Sequence, residues 1–104
     1  MPRITCDLPG FDKVWVEFRQ DKWTFGDRRA ILEAASDPEW LGIVLPYVTV
    51  WNVTDVDGAS VEPQVSSIER VDDDVVAWLL GAWFKARSER SALPKAPLTR
   101  SGTT

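Results

Sequence analysis

The sequence predicts an α+β fold, mostly α, in which an N-terminal β-hairpin is followed by three main helices and a disordered C-terminal tail. Three observations carry this. The first 20 residues are β-rich around a Pro9-Gly10 turn, apolar residues then recur at helical spacing behind three start signals, and all periodicity is lost after Ser88. With 104 residues there is room for one domain, taken as residues 1–88, with 89–104 a flexible basic tail.

In the hairpin, Arg3 to Leu8 alternates and Lys13 to Arg19 follows the turn with strand-forming composition. Val14, Val16 and Phe18 share one phase. Trp15 falls on the other with Lys13, Glu17 and Arg19, so a large aromatic sits on the polar face of a small sheet. The expectation is that a helix covers it, the alternative being an exposed partner contact. Thr24 with Asp27 starts a helix over about Phe25 to Ala35, because the hydroxyl accepts from first-turn amides and the carboxylate suits the positive end of the dipole. Ile31, Leu32 and Ala35 are expected to face the core, with Arg28, Arg29 and Glu33 in water. Asp37 is expected to cap a second helix from Pro38, a residue tolerated at the first helical position.

From Trp40 through Leu41, Val44, Leu45 and Val48 to Trp51 the spacing is helical, which predicts a helix bent at Pro46. The β-branched run Tyr47 to Val53 admits a strand instead. Thr54 to Ser67 reads as a loop opening on turn chemistry. Its Asp55, Asp57 and Gly58 lack the further ligands of a calcium loop. Asp72-Asp73-Asp74 suits the first turn of the last helix better than a catalytic acid pair. Beyond it, Val75, Leu79, Ala82 and Ala86 form one stripe, with Val76, Leu80 and Trp83 beside it and Trp78 well round the helix. That width predicts contact with a partner or a second copy.

Composition excludes much chemistry. There is no histidine and one cysteine, Cys6, so no disulfide within the chain, no Cys/His zinc cluster and no histidine acid–base pair can be drawn. No enzyme activity, catalytic residue, metal or cofactor is expected. The longest apolar run, Trp40 to Val50, contains Pro46 and falls short of the ~20 residues that span a bilayer. With no apolar core near the start, a cytoplasmic protein without membrane contact is expected. Residues 1–84 carry 7 basic and 15 acidic side chains, net −8, and residues 85–104 carry five basic and one acidic, net +4. An acidic body makes nucleic-acid binding an unlikely function.

Six tryptophans are many for so small a core. Trp40 and Trp51 are expected to be buried. Trp15, Trp78, Leu80 and Trp83 are the candidate partner-binding residues, since tryptophan is over-represented at interface hot spots.

The order of these elements resembles the small tail assembly chaperones of long-tailed bacteriophages. The residues that carry the likeness are the β segment Val14-Trp15-Val16-Glu17-Phe18-Arg19, the helix with Asp27-Arg28-Arg29, a helix ending in Val50-Trp51-Asn52 and running on to Asp57-Gly58, a proline-containing loop, and Ile68 to Val76 leading into the last helix. It covers roughly residues 10–88. The resemblance implies a non-enzymatic, mostly helical protein of virion morphogenesis that keeps the tape measure protein soluble, recruits tail tube subunits and leaves the finished particle. A structural virion component, such as a head–tail connector or tail completion protein, is the alternative, and a small nucleic-acid-binding regulator is the third reading.

Overall fold

A computed structural model describes residues 3–92. Strand β1 (Ile4–Thr5) pairs antiparallel with β2 (Trp15–Phe18), with Ile4 opposite Val16 and Thr5 opposite Trp15. The predicted turn is there: the Phe11 amide donates to the Leu8 carbonyl at 3.0 Å, and Gly10 has φ +86°. Proline at the second position and a left-handed glycine at the third are the requirements of a type II turn. Helices α1 (Phe25–Glu33) and α2 (Asp37–Val44) follow. Thr24 caps α1 as expected, its hydroxyl oxygen accepting from the Asp27 amide at 3.0 Å. At α2 the cap is Ser36 and not Asp37, while Glu39 reaches back to accept the Ala35 amide at 2.7 Å. Asp37 is thereby the first helical residue, where its charge suits the dipole.

The expected bent helix to Trp51 is not formed. α2 ends at Val44, one 3-10 turn covers Leu45–Tyr47, and Val48–Trp51 is strand β3, antiparallel to β2. Pro46 has no N–H for the Gly42 carbonyl and its ring crowds it, so continuation was costly. The β-branched residues beyond it prefer an extended chain, and the free edge of β2 supplies partners for their backbone. The sheet order is β1-β2-β3, with a bulge opposite Glu17 and Phe18 that leaves Thr49 unpaired in the ladder. The Thr49 hydroxyl donates to the Glu17 carbonyl at 3.0 Å instead.

After β3 the chain turns at Asp55, whose carboxylate accepts from the amides of Asp57 and Ala59, and Gly58 adopts φ +87°. A second 3-10 turn, Val65–Ser67, leads to α3 (Asp73–Ala92). The Asp72 carboxylate accepts from the Asp74 amide at 2.9 Å, so the acidic run does begin the helix. α3 continues through residues 89–92, which the sequence reading gave to the tail. Ser88 to Ala92 contains neither proline nor glycine, so nothing there stops a helix. The rest of the expected tail, from Leu93 on, lies outside the described residues.

The core lies between the inner sheet face, with Val16 and Phe18, and the helices, with Leu41, Val44, Leu79 and Trp83. α1 departs from expectation: Ile31 is buried, but Leu32 is 66% exposed and Ala35 is in water. Ile31 and Leu32 stand about 100° apart on the helix, and α1 meets the body along too narrow a line to bury both. Its second anchor is polar, the Tyr47 hydroxyl donating to Asp27 Oδ2 at 2.7 Å.

Candidate protein-interaction groove

The aromatic residues assort in a way the sequence reading did not foresee. Trp83 is 1% exposed and sits at the centre of the molecule, stacked on Trp23 with ring centres 5.3 Å apart. Tyr47 and Phe84 meet it edge-on at 5.6 Å and 5.0 Å. Trp83 is therefore core, and closed to a partner. At about 100° per residue Trp78 is not well round the helix as expected: it and Trp83 flank the Val75-Leu79-Ala82 stripe at nearly equal angles on opposite sides, and which flank α2 and the sheet cover is a tertiary matter.

Arg19 holds this cluster from outside. Its guanidinium lies 4.0 Å from the Tyr47 ring centre and donates to the Lys22 and Pro46 carbonyls, while its own carbonyl accepts from Trp23 Nε1 at 2.7 Å. These bonds hold Lys22 in the left-handed region, at φ +60°. Burial raises the Tyr47 phenol above its ordinary pKa of 10.0, and its hydrogen bond to the Asp27 carboxylate adds to the shift.

Trp15 is on the outer sheet face, half-buried. What covers it is the Arg3 guanidinium, 3.8 Å from the ring centre, and not a helix. Arg3 is held there by Glu17, to which its Nε donates at 3.0 Å. Trp40 and Trp51, expected to be buried, are half-buried. Each indole N–H needs an acceptor at the rim, and they find Asp37 Oδ1 at 3.2 Å and the Val61 carbonyl at 2.9 Å. Leu80 is half-buried against the core. The four candidate residues thus fall in different places and do not form one surface.

Trp78 opens onto a concave feature. Between β1 and α3 runs an open groove of about 530 Å³. Ile4 and Leu8 line it from the N-terminal segment and Ala77, Trp78 and Gly81 from α3, and Asp7, Asp74 and Lys85 bring charge to it. Asp74, Ala77, Gly81 and Lys85 recur at three- and four-residue spacing, so they share one exposed stripe of α3. The expected circumferentially apolar helix is instead large and apolar where the body covers it and small or charged where water does. A Cβ placed on Gly81 meets nothing within 4 Å, so no packing among the described residues requires glycine in the middle of this 20-residue helix. The sequence signal that could have found the groove is this unexplained glycine, one turn after Ala77.

No protein family matches the chain, and no curated protein or solved structure matches it either. Among the described residues, no three His, Cys, Asp or Glu side chains are grouped to hold a metal ion, and no helix is long and apolar enough to cross a membrane.

Proposed function

We propose that this protein is a non-enzymatic tail assembly chaperone of a long-tailed bacteriophage, acting in the host cytoplasm. In this reading the β1–α3 groove receives an apolar-faced helix of the tape measure protein, and tail tube subunits join the complex. The phage assignment rests on the sequence resemblance alone: its β segment, its helix with Asp27-Arg28-Arg29 and its last helix are present, while the helix it places before Val50-Trp51-Asn52 is strand β3 instead. The observation that carries the binding role is the pair of exposed small residues, Ala77 and Gly81, that line the groove together with the half-exposed Trp78. Small residues let a second helix approach to the ~8 Å end of the usual interaxial range, where it covers the Trp78 ring and withdraws apolar surface from water.

Co-expression with the tape measure protein of the same genome tests this. The expected result is a soluble complex that is lost with Gly81→Leu, which fills the groove, and is weakened at least tenfold by Trp78→Ala, about 1.4 kcal/mol or more. A tape measure protein equally soluble with and without this chain, and no recoverable complex, overturns the proposal. Because a second copy could occupy the same groove, sedimentation of the protein alone and of Gly81→Leu separates self-association from partner binding.

A further inference from the structure

Among the described residues, the two most exposed large apolar side chains are both on α1, Phe25 at 64% and Leu32 at 66%. They are seven residues apart, and Arg28 and Arg29 lie between them, so the four occupy about 100° of the helix surface. Neither arginine meets a carboxylate within ion-pair distance among the described residues. Arg28 is instead drawn over the Phe25 ring, 5.1 Å from its centre. Asp27 points to Tyr47 and is engaged there. α1 is thus turned inside out, with one large apolar residue inward, two outward, and beside them two guanidinium groups that meet no carboxylate among the described residues.

We propose that this face of α1 is a docking surface for an amphipathic helix whose apolar stripe is flanked by carboxylates. The apolar stripe meets Phe25 and Leu32, and the carboxylates take Arg28 and Arg29 in two-pronged hydrogen bonds, a geometry that the planar guanidinium favours. Charge complementarity selects this occupant over other anionic ones. The two cations are local exceptions on a body of net −8 over residues 1–84, which repels an extended polyanion such as nucleic acid. Two arginines also fall below the cluster of about four to eight that marks an anionic lipid surface. This surface is separate from the β1–α3 groove and does not depend on what the groove binds.

The test uses a labelled synthetic helix of about 18 residues with a leucine stripe flanked by glutamates, and the same peptide with glutamine at every glutamate. The glutamate peptide is expected to bind the full chain, with affinity falling at least tenfold in the glutamine peptide, in Arg28→Gln/Arg29→Gln, in Phe25→Ser/Leu32→Ser, and between about 0.05 M and about 0.5 M salt. All four altered side chains are outside the core, so thermal melts should stay unchanged; if the Phe25/Leu32 variant fails to fold, the arginine variant carries the result. Gly81→Leu should bind as the unaltered protein does. The proposal is overturned if the glutamate peptide does not bind, if the two peptides or the arginine variant bind alike, or if Gly81→Leu abolishes binding. It is likewise overturned if phosphatidylserine vesicles or a single-stranded oligonucleotide bind more tightly than the peptide.

Discussion

α1 and α3 are built on opposite plans. α3 places Val75, Leu79, Ala82 and Trp83 in the core and shows water Ala77, Gly81 and charged residues, whereas α1 buries only Ile31 among its large apolar residues and shows water Phe25 and Leu32. One helix holds the body together, and the other is anchored to it by the buried Ile31 and the Tyr47–Asp27 bond. The difference separates two sources of apolar surface that composition adds together. Apart from the half-exposed Trp78, apolar area on α3 is committed to folding, and apolar area on α1 remains free.

Breaking α3 should therefore cost most. Trp83→Ala removes the ring around which Trp23, Tyr47 and Phe84 are arranged, and a loss of about 3–5 kcal/mol in urea unfolding is expected, enough to unfold a domain of this size in part. A change below about 1 kcal/mol would place the core elsewhere.

Tyr47→Phe tests the polar anchor of α1. It leaves the Asp27 carboxylate without its donor and should cost about 1–2 kcal/mol at neutral pH. Tyr47 is the one tyrosine of the chain, and its phenol is shifted upward in the folded protein. The fold therefore favours the neutral form: the contribution is complete below the unfolded value and is lost as pH rises from there through the raised folded value. Stability followed by denaturation across that alkaline window should fall in the unaltered protein, and this component of the fall should be absent from Tyr47→Phe.

Gly81→Ala sharpens the comparison from the exposed side of α3. With open space at the Cβ position, the substitution should raise stability by about 0.5–1 kcal/mol through helix propensity, read as an increase in melting temperature. A decrease would show that the groove is closed within the chain. Leu32→Ser should change stability least, by no more than about 0.5 kcal/mol in the same melt, since its side chain is already in water.

Much of the local structure could be read directly. The type II turn needed Pro9 and Gly10 in that order, Thr24 and Asp72 are helix starts by their own hydrogen-bonding chemistry, and Val16 and Phe18 declare the inner face of β2 by alternation. The candidate site was less legible. Of Trp15, Trp78, Leu80 and Trp83, only Trp78 lines the groove, because a helical pattern states which residues share a face and not which face a neighbour will cover. Ala77 and Gly81 escaped notice because small residues carry no hydrophobic periodicity.

The sequence by itself determined the α+β class, the hairpin, the helix starts and the absence of histidine chemistry, since these depend on backbone torsions, capping groups and side-chain identity within a few residues. Only the tertiary structure decided that Val48–Trp51 is a strand, that Trp83 is core, and that α1 turns Phe25 and Leu32 outward. Each of these turns on competition for a distant partner: the free edge of β2 for the backbone beyond Pro46, the Trp23 and Tyr47 rings for Trp83, and the single place along α1 that the core could fill, which Ile31 and the Asp27–Tyr47 bond took.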